Sequence, residues 1–354
     1  MDFEIFPSYN PSLLKTLARD KVTEELLGAG MWPTIRQRPF SQIAHPNQTP
    51  KSIFIHAMNT EPLAADVDFV LNGKEDLFQA GLDVLTRLTP GKVYLCVSPN
   101  AKSKALTKAN NVEIHQFSGP HPAGNVSTHI HCVDPLNKGD LIWYVEAQDV
   151  VRIGNLFVNG VSLSERIVAI TGEGAPECVY KKTIIGAPIS HLLGTNHLPG
   201  MRCIAGSVLS GRIVGLNGFI GPYDSQMTVI PEGGKRHFLG WLAPGFNAVT
   251  FSSAFASSFL PAGEASVNTD KHGSDRAIVL NHIYDQYVPL DIFTYFLIKA
   301  VMVGDIDEME KLGILECDEE DFALASFACP SKTDVGGIIR KGLNLIEKEE
   351  EVNH

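Results

Sequence analysis

The sequence predicts an α/β fold in three parts: a parallel sheet with covering helices, a small mixed sheet, and a helical end. Three observations predict it. From Lys51 to Gly172 short β-rich runs alternate with helical ones. After Gly174 short strands are separated by Gly and Pro turns. From about Tyr284 the pattern turns helical.

The elements follow in chain order. Asn10 before Pro11 is a helix start, because the Asn side chain accepts an orphan backbone N–H and Pro suits the first helical position. Leu13, Leu14, Leu17, Leu26 and Leu27 then predict one amphipathic helix, stopped by Gly28 and Gly30. KSIFIHAM reads as a strand, Asn72 to Leu88 as a helix, and KVYLCVS, after the Pro90-Gly91 turn, as the next strand. VEIHQF, LIWYVEA and ERIVAITG extend that sheet, with DVVRIGNLFVNG as a helix between the last two. KKTIIGAPISH, MRCIAGSVLSGRIVG and QMTVIPEGG are too few strands for a sandwich and suit a small mixed sheet. The divisions are 1–31 leading helix, 32–175 α/β domain, 176–236 small sheet module, 237–283 connecting segment and 284–354 helical domain.

A chain of 354 residues, 44% hydrophobic and 19% charged, can bury a sizeable core in two or three compact units. Its net charge of -11 repels phosphate backbones and argues against a nucleic-acid partner. Nine acidic residues against Lys311 alone lie between Gly304 and Asp321, a run that reads as a solvated face or as a docking face for a basic partner. Six cysteines without a C-x-x-C pair write neither a disulfide framework nor a zinc knuckle. The amino terminus lacks the pattern of a signal peptide. The apolar stretch from Tyr287 carries Asp291 and Lys299, so it reads as a core helix rather than a membrane span.

Ligands of an open α/β sheet bind beyond the carboxyl ends of its strands, which directs attention to three loops. GAGMWPTIRQRPF offers Gly28 and Gly30 for close backbone approach and Arg36 and Arg38 for an anion; its plainer reading is a helix stop and turn. HAMNTEPLAADVD places Asn59, Thr60 and Glu61 after a strand, or simply caps that strand. SGPHPAGNVSTHIHCVDP carries His121, His129 and His131; if extended, the last two share a face and suit a divalent metal, though Asp134 is the only nearby carboxylate. The alternative is that these imidazoles hold the loop or donate to a ligand carbonyl. Trp32, Phe40, Trp143 and Trp241 are available to pack a flat ring, or fill core. The G-x-x-x-x-G-K-[ST], G-x-S-x-G and H-E-x-x-H signatures are absent.

GMWPTIRQRPFSQI, HAMNTEPLAAD, FSGPHPAGNVSTHIHCVDP, YVEAQDVVRIGNLF, GSVLSG and CDEEDFALASFACPSK resemble, in order and spacing over nearly all of the chain, the A subunit family of the Na(+)-translocating NADH:quinone oxidoreductase. The resemblance implies a peripheral subunit on the cytoplasmic face of the bacterial inner membrane, soluble when isolated, in a complex that oxidises NADH, reduces ubiquinone and pumps sodium. It implies partnership chiefly with the membrane-embedded B subunit. It assigns NAD, FMN/FAD, riboflavin and the 2Fe-2S cluster to partner subunits, leaving this chain no redox cofactor, no metal and ubiquinone as substrate. Family members also begin with a β-rich region resembling a biotinyl/lipoyl-type domain, after which this sequence starts. More distant similarity to the flavoprotein subunit of respiratory complex I and the C subunit of Rnf-type complexes implies that residues 32–175 are Rossmann-like and 176–236 a β-grasp module of the soluble-ligand-binding type. Where those relatives carry GLGGAGFPT to cradle FMN, this chain reads LLGAGMWPT, and of their cluster cysteines only Cys317 and Cys329 remain.

A quinone head group needs donors for two carbonyls and an apolar wall, and Arg36, Asn59, His121 and His129 are the candidate donors. Two rival readings stand beside this. One is an assembly scaffold docked through Asp305 to Asp321, tested by charge reversal at Glu319 and Glu320. The other is a metalloenzyme using His121, His129 and His131.

Overall fold

The structure is a computed structural model and describes residues 5–234, 242–246, 255–260, 267–271, 273–278 and 282–353. Trp241 and much of the 237–283 segment lie outside them.

Asn10 caps as expected, its side chain accepting from Ser12 N at 3.1 Å, but the leading helix is in two pieces. A 3-10 turn, Pro11–Thr16, is followed by extended Leu17 and Ala18 before α1, Arg19–Gly28. Arg87 takes the Leu17 carbonyl at 2.9 Å, drawing it off the helical path. Leu14 and Leu26 are buried while Leu13 and Leu27 are exposed.

The first sheet has the order β2-β1-β6-β3-β4-β5. Its strands are β1 Arg36–Arg38, β2 Gln42–Ile43, β3 Ser52–Ala57, β4 Val93–Val97, β5 Glu113–Gln116 and β6 Ile142–Glu146. The last four are parallel, and β1 closes one side by antiparallel pairing with β6. The predicted helix 72–88 forms as α3 Glu75–Leu85, and a further helix that was not expected, α2 Val67–Leu71, capped by Asp66, precedes it across a turn at Gly73 with φ +73°. α4 is Lys104–Thr107, α5 Val126–Val133 and α6 Ala147–Asn159.

Side chains alternate across the sheet. Ile53 and Ile55 face a core shared with α1, α3 and α6, where Gly81 and Gly154 let α3 and α6 touch backbone to backbone. Phe54, Tyr144 and Ile142 face a second core built with α5 and four C-terminal helices. A short helix of the second sheet, Ile189–Leu193, is α7, and these four are α8 Thr294–Val303, α9 Ile306–Lys311, α10 Ala323–Ala328 and α11 Val335–Asn353. The helical end therefore covers the open face of the first sheet.

The second sheet has the order β10-β9-β11-β7-β8, with β7 Glu165–Thr171, β8 Val179–Ile184, β9 Met201–Ala205, β10 Arg212–Val214 and β11 Gln226–Pro231. Its helix, α7 Ile189–Leu193, packs on it. Here one expectation is corrected: ERIVAITG does not extend the first sheet. β7 pairs in parallel with β11 and antiparallel with β8, so the chain changes sheets straight after α6.

A second correction concerns the histidines. His129 and His131 lie on α5, a helix, where residues two apart point to nearly opposite sides; they share no face. The acidic run divides too. Asp305, Asp307 and Glu308 are exposed, but Asp318 and Asp321 are buried against the first sheet's loops.

Candidate functional site

The parallel strands run outward from β3 to β4 to β5, and the chain then returns to β6 on the other side of β3. The strand order reverses between β3 and β6, and ligands of open α/β sheets lie at such a reversal. His56 on β3 and Glu146 at the end of β6 are register partners there. His56 Nδ1 is 2.8 Å from Glu146 Oε1 and its Nε2 is 2.6 Å from the Gly124 carbonyl. Both ring nitrogens therefore face acceptors, an arrangement satisfied by the doubly protonated imidazolium. Burial disfavours that charge, but Glu146 outweighs it and pushes the pKa up to about 9. The Glu146 carboxyl, which burial alone would raise, is drawn down by the same partner.

The loops after β3 and β5 fold over this pair. Gly124 N donates to Thr60 Oγ1 at 2.9 Å, and the approach is so close that a Cβ on Gly124 would come within 2.7 Å of Thr60 N. Thr60 Oγ1 also meets His121 Nδ1 at 3.3 Å. Asn59 closes its own turn by accepting from Glu61 N at 2.8 Å. Glu61 in turn accepts from Ser207 Oγ at 2.8 Å and from Ser210 Oγ, both on the GSVLSG loop of the second sheet.

Arg36 lies on β1 beside β6, its guanidinium between the rings of Tyr223, at 4.9 Å, and Tyr144, at 5.5 Å. Arg38 is buried and holds Ser127 Oγ at 3.0 Å, Asp318 at 3.0 Å and Glu320 at 3.1 Å. Glu146 and Glu320 leave 38% and 39% of their side chains open. Desolvation is nonetheless the largest influence on both. With Asp318 and Asp321 crowding the same guanidinium, Glu320 is pushed up to about 8.

The structure thus brings Arg36, Asn59 and His121 to one end of the sheet, but not His129. That ring is buried below the cleft against Phe117 and His56, its Nε2 committed to the Ala123 carbonyl at 3.1 Å, and burial pushes its pKa down to about 3. His131 faces away and bonds Glu316 at 2.7 Å. The three histidines form no common ligand set, and among the described residues no three His, Cys, Asp or Glu side chains gather as a metal site. The GAGMWPT loop takes its plainer reading: Met31 and Trp32 are buried, and Trp32 donates to the Ala44 carbonyl at 2.6 Å and packs edge-on against Trp143. Phe40 is core as well. Glu319 and Glu320, expected to be free for docking, pair with Arg340 and Arg38 inside the chain.

Sequence reading missed His56, Glu146 and Tyr223, and took Glu320 for a docking residue. A signal existed for the first two: each is the polar residue near the carboxyl end of an otherwise apolar buried strand. A cavity of about 970 Å³ also opens between Ile204, Leu209 and Ile230 of the second sheet and Leu324 and Phe327 of the helical end.

Two family models match the chain, one described as NqrA second alpha/beta domain over residues 17–162 and one as NQRA C-terminal domain over residues 167–215. The Na(+)-translocating NADH-quinone reductase A subunit of Tolumonas auensis is 40% identical over 346 residues, covering 97% of this chain and 77% of the relative. The corresponding protein of Aliivibrio salmonicida is 38% identical with the same coverage. That of Hahella chejuensis is 39% identical over 350 residues, 98% of this chain and 78% of the relative. Among solved structures, an NAD+-reducing [NiFe]-hydrogenase in the H2-reduced state aligns over 96% of this chain and 66% of that one, with a TM-score of 0.47 and 12% identity.

Proposed function

This chain belongs to the NqrA family, the A subunit of the Na(+)-translocating NADH-quinone reductase, and we propose that it is the quinone-linked peripheral subunit of the complex, contributing to ubiquinone binding and reduction without a redox cofactor of its own. Members of the family are subunits of an oxidoreductase complex. In this reading NAD, the flavins and the 2Fe-2S cluster sit in partner subunits, the chief partner is the membrane-embedded B subunit, and the chain lies on the cytoplasmic face of the membrane. No helix among the described residues is long and apolar enough to cross a membrane, which accords with a peripheral place.

The observation that carries the reading is the cleft at the β3–β6 reversal. Its floor is bridged by His56, Glu146 and the Gly124 carbonyl, which fill the crevice that a dinucleotide's pyrophosphate uses in related sheets. What remains around that floor suits a smaller, flat, neutral head group, with Arg36, held in place by the Tyr144 and Tyr223 rings, and the neutral His121 ring as donors to carbonyl oxygens. Asn59 lends its side chain to the adjoining turn, and His129 buttresses His56 from below.

A calorimetric titration of the chain with a short-tailed ubiquinone tests this. Saturable binding is expected, weakened about tenfold by Arg36→Ala or His121→Ala, the effect of losing one hydrogen bond to a bound ligand. Absence of binding by a folded chain would favour the scaffold reading, in which the protein shapes the complex without touching quinone.

A further inference from the structure

We propose that the outward face of α8 is the surface by which this chain docks another subunit of the reductase, through a partner segment that is apolar and carries basic side chains. The inference rests on the family membership but not on the quinone site. Leu297, Ile298, Ala300 and Val301 of α8 are buried in the C-terminal core. The opposite side is apolar too: Phe293, Phe296, Met302 and Val303 are 71%, 56%, 54% and 78% exposed. Lys299, the one charged residue of α8, lies on this side with its ammonium 5.7 Å from the Tyr295 ring; the rest of the outward side is apolar and uncovered.

The exposed residues are organised, not scattered. Phe296 and Val303 are two turns apart on one stripe, and Phe293 precedes Phe296 by one turn. Phe293 and Phe296 pack edge to face at 6.4 Å, and Tyr295 packs on Phe296 at 5.6 Å. Aromatic groups presented together in this way are what binding hot spots use.

Charge selects the occupant. Directly after α8 come exposed Asp305, Asp307 and Glu308, at the start of the segment that holds most of the chain's excess negative charge. An anionic lipid surface would be repelled there, and a second copy of the chain would set acidic segments side by side. A polypeptide that joins apolar residues to Lys or Arg meets both the stripe and its acidic flank.

The test uses the chain co-expressed with the other subunits of the reductase, measuring how much of it stays with washed membranes. Phe293→Ser/Phe296→Ser should lower retention about tenfold or more, as loss of two aromatic anchors does, with an unchanged melting temperature because both side chains are exposed. Phe296→Leu alone, with Phe293 intact, should keep most of it. Asp307→Lys should weaken retention, and retention of the unaltered chain should fall as salt rises.

Retention of the double variant equal to that of the unaltered chain would overturn the proposal and leave the membership reading intact. Failure of the unaltered chain to join membranes holding the other subunits would overturn the membership reading as well. Flotation of the purified chain with phosphatidylglycerol vesicles, abolished in the double variant, would assign the face to lipid. Concentration-dependent dimerisation, abolished in the same variant, would assign it to a second copy. Either result overturns the proposed partner.

Discussion

His56 and Glu146, register partners on adjacent parallel strands, meet at 2.8 Å where the strand order of the first sheet reverses. Because the other ring nitrogen is held by the Gly124 carbonyl, the pair gives the fold a defined pH response. The His56 pKa rises from 6.5 to about 9 on folding, so its contribution is complete below pH 6.5 and is lost as pH rises through 9. The loss is on the order of 2 kcal/mol, less where the open side of Glu146 is screened by water. Urea melts from pH 6 to 10 should show this decline in the native protein, and His56→Gln should flatten it; an equal slope in both would refute the assignment.

Asp149 is fully buried on α6 and receives Arg152 at 2.7 Å and Arg166, from β7, at 3.1 Å. Asp149→Asn preserves the shape and leaves two buried guanidiniums without their counter-ion. We expect it to cost about 3–5 kcal/mol in denaturant midpoint measurements. Arg166→Met should cost less, since Asp149 keeps Arg152.

Gly154 and Gly28 should respond in opposite directions to the same substitution. A Cβ on Gly154 would come within 1.8 Å of the Leu77 carbonyl oxygen, so Gly154→Ala must part α3 from α6, at about 2 kcal/mol or more. At Gly28, the last residue of α1, a Cβ would meet nothing within 4 Å, and alanine should be neutral or stabilise by up to about 1 kcal/mol. Thermal melts of both variants give the comparison, and equal shifts would contradict the packing described.

Around Arg38, the sign of a substitution depends on which charge is removed. Arg38→Met leaves Asp318, Glu320 and Asp321 facing one another and should loosen α10 and α11, detectable as faster proteolysis after residue 318. Glu320 has the opposite character. Its pKa rises from 4.5 to about 8 on folding, so it destabilises progressively as pH climbs through that window. Glu320→Gln should therefore raise the melting temperature at pH 8.5 and have little effect at pH 4.5, while Glu320→Lys, which sets two cations together, should lower it.

Much of this architecture was legible in the chain because buried parallel strands are nearly continuous apolar runs: SIFIHA, VYLCV and IWYVE each became a strand of the first sheet. ERIVAIT was equally legible as a strand, but its pairing partner is a tertiary choice that its own residues do not encode. VSTHIHCV, rich in β-branched residues, reads as extended; the helix forms because Val126 and Ile130, four apart, both enter the core beneath the C-terminal helices. At the candidate site, Arg36, Asn59 and His121 stood out as polar residues in Gly- and Pro-containing loops. His56 and Glu146 were hidden inside apolar strands, and Glu320 lies 282 residues from the arginine it meets.

The charged floor of the cleft also makes folding a proton-uptake reaction. At pH 7 an unfolded chain holds His56 mostly neutral and Glu320 ionised, whereas folding favours the proton on both, an uptake that the lowered His121 and His129 offset only in part. Refolding in weakly buffered solution should turn the medium alkaline, and the native molecule should migrate as a less acidic species than the sum of its side chains, -11, would suggest.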